Sequence, residues 1–437
     1  ARPTGGPTRP AAAPDAGPPG SMRPSPSPDS PAMTPLPATA TERRHDIDAL
    51  RAIAFALVIL YHLGMYYVAG WPWHLKSPHA AEWLQWPMRL MNLWRMDLVF
   101  LISGVSLGFL ARGRPPVALL RSRAWRLLLP LAFGMVVVVP WQAYAQGMAN
   151  GFVAPGFGAF LLRYLGGGPH WPAAAFDGAD VGITWNHLWY LPYLFAYTAV
   201  VVLLLPVLRS RAGERAAAAV RRLRGGWLLV LPALPLAAYV LWLAPRYPAT
   251  HDLLHDGYLH PRYFTCFLYG WWLATDAGLW RELARLRWPA LALAVLSGAV
   301  LVAGREGLLG TAGAALAQAL RAVYAWAVIA AVLGFGRRHL DRPWPWLRWA
   351  NESVYPWYVL HQTLILLAAV WLAPLALGPV DEPAAILAAT VGGCWLLNDG
   401  LIRRLRVLRP LFGLPPRRPQ SQPRPASQTP MASRGTW

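Results

Sequence analysis

The chain has 437 residues, of which 56% are hydrophobic and only 14% charged; soluble domains carry about 25% charge, so an ordinary soluble globule is excluded and lipid is indicated as the solvent. A net charge of +20 with 24 Trp suits either a nucleic-acid binder or a membrane protein with basic loops and aromatic belts, and the placement of the charges decides between them. Cys266 and Cys394 stand alone in apolar runs, without disulfide or metal-ligand spacing, and are expected to be packing residues.

Residues 1–42 are rich in Pro, Ala, Gly and Ser and nearly lack large apolar side chains, which predicts a disordered tail. No apolar run followed by a small-residue cleavage site marks a signal peptide near the start, and Met33 is a candidate start downstream of Ala1. Residues 43–410 are expected to form one membrane domain, and 411–437, rich in Pro, Arg and Ser, a second disordered tail.

Within the body, apolar segments lie near 47–68, 90–111, 127–146, 184–208, 227–244, 258–277, 288–304, 311–335, 352–374 and 383–402. Each is about the 17–25 residues that cross roughly 30 Å of hydrocarbon, and each must be helical because lipid offers the backbone no hydrogen bonds. The prediction is an all-α polytopic membrane protein of about ten transmembrane helices, N-in and C-in. The basic residues test it. With the N-terminus inside, the inner segments hold five Arg before residue 47, five in 112–126, six in 209–224, three in 281–287, four in 337–348 and eight after 402. The outer segments hold only Lys76, Arg89, Arg163, Arg246, Arg262 and Arg305, and Arg51, Arg95 and Arg321 fall inside helices. Such a bias is the positive-inside pattern, so the charge reports topology and the expected partner is the bilayer, not nucleic acid.

Two outer loops are long, 69–89 and 147–183. The first carries Trp71, Trp73, Trp83 and Trp86, which can serve as an interfacial belt or as a platform for the apolar faces of sugars. No internal repeat or paired interrupted helices of a secondary transporter are visible.

Ionisable groups within the membrane are costly and are functional candidates by default. In the first segment, IDALRAIAFALVILYH, Arg51 and His62 are 11 residues apart, about 20° on one helix face with a rise of about 16 Å. Arg51 can snorkel at the inner boundary; His62, in the outer half, cannot. The second segment returns inward as LWRMDLVFLISG, bringing Arg95 and Asp97 to nearly the depth of His62. Either these form an acid–base cluster with His62, or Arg95 and Asp97 compensate each other at an awkward i, i+2 spacing. Arg121, Arg123 and Arg126 in RSRAWRLLLP lie just inside, as a topological flank or as a phosphate site for a cytosolic donor. Asn186 and His187 open the fourth segment at the outer rim, while His361 in the ninth and Arg321 in the eighth lie near mid-membrane. No HExxH, GxSxG, Walker or metal-ligand spacing occurs, and no metal is expected.

The Arg51-x10-His62 pair, the WRMDLVFLISG block with Val99-Phe100 before Ser103-Gly104, the basic block ending at Pro130, NHLWYL and VYPWYVLH occur in that order over about 45–400. Together they resemble the acyltransferase 3 family of membrane acyltransferases. Within it, the Arg95-Met96 block and the aromatic outer loop look most like the members that succinylate osmoregulated periplasmic glucans. The resemblance implies a bacterial inner-membrane enzyme that moves an acetyl or succinyl group from cytosolic acyl-CoA, as co-substrate and without a further cofactor, to a carbohydrate hydroxyl outside. It implies His62, with Arg51 and Arg95, as catalytic residues, and Arg123 and Arg126 as donor-binding. Asn186, His187, His361, Trp71 and Trp73 are then substrate-binding candidates. The rival expectation is an exporter with an intramembrane Arg/His path.

Overall fold

A computed structural model describes residues 44–308 and 310–416. The tail expected at 1–42 lies outside the described residues, as does the tail expected at 411–437 beyond its first six. The first four of those pack on the bundle: Phe412 and Leu414 are buried, and the Phe412 ring sits 5.2 Å from that of Phe133.

The described residues form helices and no strand, with one isolated parallel bridge between Val68 and Ala81. In order the helices are α1 (His45–Tyr67), α2 (Gln85–Asn92), α3 (Arg95–Leu110), α4 (Pro116–Phe133), α5 (Pro140–Ala149), α6 (Phe157–Leu165), α7 (Tyr190–Leu208) and α8 (Arg211–Arg221). There follow α9 (Gly226–Val230), α10 (Ala233–Ala238), α11 (Leu259–Leu273), α12 (Ala277–Arg305), α13 (Gly310–His339), α14 (Pro345–Leu372), α15 (Asp381–Trp395) and α16 (Leu408–Leu411). Polar groups set several starts. Asp46 and Asp48 stand in the first turn of α1, where carboxylates complement the helix dipole. Asp276 accepts the Leu279 amide at 2.8 Å to cap α12, and Pro begins α4 and α14, where its missing N–H costs nothing.

Nine helical stretches among the described residues are long and apolar enough to cross a membrane. The tenth expected segment is α11, of 15 residues, about 22 Å long and short for a span. It nevertheless belongs to the bundle, because it lies directly against α3. A Cβ on Gly104 would sit 1.9 Å from the Phe267 carbonyl oxygen, and one on Gly270 1.9 Å from that of Leu101. Only glycine permits two backbones to approach so closely. Asp97 on α3 and Arg262 on α11 lock the same crossing, with Nε 3.0 Å from both carboxylate oxygens and Nη2 2.7 Å from Oδ2.

Several basic stretches expected as inner loops are helix. Residues 281–287 lie within α12, most of 112–126 within α4, and α8 is a short helix with no buried residue. Helices continue past the apolar window because a cytosolic extension keeps its backbone bonds at no cost in lipid. Outside, the 147–183 segment has its own small core around Phe160, Tyr164, Trp171 and Phe176.

Candidate active site

α1 and α14 pack side by side and bring His62 and His361 together, with Nδ1 of His62 2.7 Å from Nε2 of His361. The partners assign the protons. Nδ1 of His361 faces the carbonyls of Tyr358 at 2.8 Å and Trp357 at 3.1 Å; carbonyls only accept, so this nitrogen carries the hydrogen. Nε2 of His361 is then the acceptor, Nδ1–H of His62 the donor, and Nε2 of His62 is left with an available lone pair. The rings are nearly parallel, 13° apart.

His187 stands edge-on behind them, 5.1 Å from the His361 ring and 6.4 Å from His62. Its Nε2 donates toward the carbonyls of Tyr358 and Val359, at 3.1 and 3.2 Å, and its Nδ1 accepts from Gln142 at 3.2 Å. Both of its nitrogens therefore have protein partners, in Gln142 and the backbone of α14.

From Gln142 a buried polar layer leads to the outer surface. Gln142 donates to Thr363 at 2.7 Å and accepts from Asn186 at 3.1 Å and Gln362 at 3.0 Å. Asn186 adopts φ +42°, a left-handed conformation that Asn tolerates better than most residues. Gln362 donates to Nε2 of His74 at 2.9 Å, whose Nδ1 meets Gln146 at 2.6 Å and the exposed Asp177 at 3.3 Å. Sequence reasoning missed Gln142, Gln146, Gln362, Thr363 and His74. Gln142 just after VVVVP, and Gln362-Thr363 directly after His361, were the available signals: polar side chains inside apolar runs.

Below the histidines, Arg51 donates to Ser106 on α3 at 2.6 Å and to Asn351 on α14 at 3.3 Å, with Asp48 at 3.4 Å. Arg123 is buried near Tyr190 and Tyr355 and near the charges of Arg126 and Arg51, with Nε free of any hydrogen bond. Arg126 is exposed, and its carbonyl accepts from the Tyr355 hydroxyl at 2.9 Å. A cavity of about 160 Å³ between α1 and α14 runs from Ala52, beside Arg51, past Phe55, Ile59 and Trp357 to His361. Its lining is apolar apart from Ser353, Tyr358 and the imidazole of His361.

The expected cluster of His62, Arg95 and Asp97 divides. The Arg95 guanidinium lies 3.4 Å over the ring of Tyr61, the residue before His62, and its Nε and Nη1 are buried without hydrogen bonds. Asp97 is held by Arg262 instead, and Arg95 and Asp97 do not compensate each other. Arg262, expected in an outer loop, is the buried partner that one-dimensional spacing could not identify. Trp71 and Trp73 also part: Trp73 packs with Leu63, Tyr66 and Ile365, whereas Trp71 lines an outward cavity that Arg321 also reaches.

Residues 44–399 match the acyltransferase domain of the acyltransferase 3 family. Among curated proteins, glucans biosynthesis protein C of Escherichia coli K12 is 25% identical over 182 residues, 41% of this chain and 42% of that protein. The same protein from Escherichia coli O1:K1 / APEC gives the same identity and coverage, so the alignment spans less than half the length of these relatives. No solved structure matches. With the family domain covering most of its length, and nine described helical stretches able to span a membrane, the chain is a multi-pass membrane protein that belongs to the acyltransferase 3 family.

Proposed function

We propose that the protein transfers an acetyl or succinyl group from cytosolic acyl-CoA to a carbohydrate hydroxyl on the outer face of a bacterial inner membrane. The observation that carries this reading is the His62–His361 bond at the end of the α1–α14 cavity. The name of the matching relatives, glucans biosynthesis protein C, makes a glucan the first acceptor to test.

In this mechanism the donor's phosphates meet Arg51 and Arg123 at the inner end, where guanidinium forks suit phosphate oxygens. The thin arm of the donor lies in the apolar cavity and brings its thioester to the histidines. Nε2 of His62 takes the proton of the acceptor hydroxyl as that oxygen attacks the thioester carbonyl. The carbon–sulfur bond breaks, the ester forms, and the proton passes from His62 to the departing thiolate. His361 steadies the transient imidazolium by accepting its Nδ1–H, the orienting role a third group plays behind a general base. Arg95, a buried cation with unspent donors, suits the carbonyl oxygen as it gains charge or the free carboxylate of a succinyl group.

Purified protein in detergent, given isotope-labelled acyl-CoA and a soluble glucan, tests the reading. An enzyme produces labelled ester without a sealed membrane. Label that moves only across intact vesicles, with no ester formed, overturns it in favour of an exporter.

A further inference from the structure

Trp71, Arg89, Arg305 and Arg321 line an outward cavity of about 530 Å³ between α2, the end of α12 and the stretch of α13 from Ala317 to Arg321. Arg89 and Arg305 run against the bias that empties the outer side of Lys and Arg, and Arg321 is a cation within a helix, so topology does not account for the three. Among the described residues none of the three has a carboxylate partner. Arg89 donates to Gln85 at 3.1 Å with its guanidinium 5.1 Å from the Trp71 ring, and Arg321 donates to Gln318 at 3.0 Å. The neighbouring acid, Glu306, accepts from the Trp86 indole at 3.0 Å. Three guanidinia around one hole repel each other, and an anion with several oxygens relieves that repulsion while taking charge-assisted hydrogen bonds from each. Trp71 contributes an aromatic side chain to the same lining.

The cavity is also close to the reacting groups. Trp71 packs against the cluster containing Tyr61 and Met88, and Tyr61 carries Arg95 and precedes His62. The Tyr61 ring in turn lies 6.0 Å from that of His62. We propose that this cavity binds a phosphate or carboxylate substituent of the acceptor, so that the enzyme acylates anionic saccharides in preference to neutral ones. The inference rests on the acyltransferase reading and names its acceptor class. The phosphate of an anionic lipid has the same chemistry, and the test separates the two sources.

The full-length protein is placed in nanodiscs of phosphatidylcholine and offered a gluco-oligosaccharide or its phosphorylated form. Tryptophan fluorescence follows binding, and labelled acyl-CoA follows transfer. The phosphorylated saccharide is expected to bind about 10- to 100-fold more tightly and to lose that advantage as salt rises. In R305Q/R321Q the ratio should fall to about one, with the melting temperature and acyl-CoA affinity retained. Equal affinity of the native protein for both saccharides, or a preference that survives in R305Q/R321Q, overturns the proposal. Native mass spectrometry after adding phosphatidylglycerol supplies the lipid arm. Lipid bound by the native protein and lost from R305Q/R321Q, with saccharide preference unmoved, assigns the cavity to the bilayer and overturns it too. If no ester forms with either saccharide, the acyltransferase reading of the site fails, while the fluorescence titration still decides the cavity's selectivity.

Discussion

His62 donates from Nδ1 to Nε2 of His361 across 2.7 Å, and the backbone of α14 holds the other nitrogen of His361. The direction of that bond leaves Nε2 of His62 as the nitrogen that can take a proton. His62→Asn should insert, fold and bind acyl-CoA, and lose transfer by about 10² to 10⁴. His361→Gln retains an oxygen that can accept from His62, whereas His361→Leu does not. Initial rates with labelled acyl-CoA should therefore rank native, then His361→Gln, then His361→Leu. A folded His62→Asn protein with near-normal turnover would remove His62 from the mechanism, and equal rates for the two His361 variants would remove the orienting role.

Asp97 and Arg262 face each other where neither can reach water, at 1% and 8% exposure. Asp97→Asn leaves the guanidinium without its counter-charge, which costs about 3–5 kcal/mol for a buried pair. Its melting temperature in detergent should fall clearly. Replacing both residues, as Asp97→Leu with Arg262→Met, should restore most of the loss, since apolar pairs often match buried ion pairs. A double variant no more stable than Asp97→Asn would indicate that the pair does more than satisfy itself.

The α3–α11 crossing depends on two glycines, and alanine at either should force the helices apart. Gly104→Ala and Gly270→Ala each place a methyl group 1.9 Å from a carbonyl oxygen, and overpacking of this kind costs about 1–3 kcal/mol or more. At Gly392 on α15 a methyl group would meet nothing within 4 Å, so Gly392→Ala should be neutral or slightly stabilising. Thermal melts of the three variants check this. Indistinguishable melts would mean the crossing relaxes freely.

Arg123 and Arg126 share one basic block but differ in setting, since Arg123 is buried with an unpartnered Nε and Arg126 is exposed. Arg123→Gln should weaken acyl-CoA binding by about 10- to 100-fold, the usual worth of hydrogen bonds to a charged group. Arg126→Gln should change it much less. Calorimetric titration with acyl-CoA measures both, and an equal or reversed order would move the donor site toward the exposed arginines.

The sequence alone determined the solvent, the helical class and the sidedness of the charge, because all three follow from local composition. Lipid requires apolar segments of a minimum length with closed backbone bonds, and insertion sorts the cations. Periodicity also placed Arg51 and His62 on one face of α1. The tertiary structure alone decided the partners. Nothing local to Asp97 reveals that Arg262, 165 residues away, neutralises it. Nothing local to His62 selects His361, 299 residues away, over Arg95 or Asp97 at similar depth. Depth is a one-dimensional coordinate set by chain position, whereas contact depends on which helices are neighbours. That choice is made by features such as the glycine crossing of α3 with α11 and the packing of α1 on α14, where side chains distant in sequence meet.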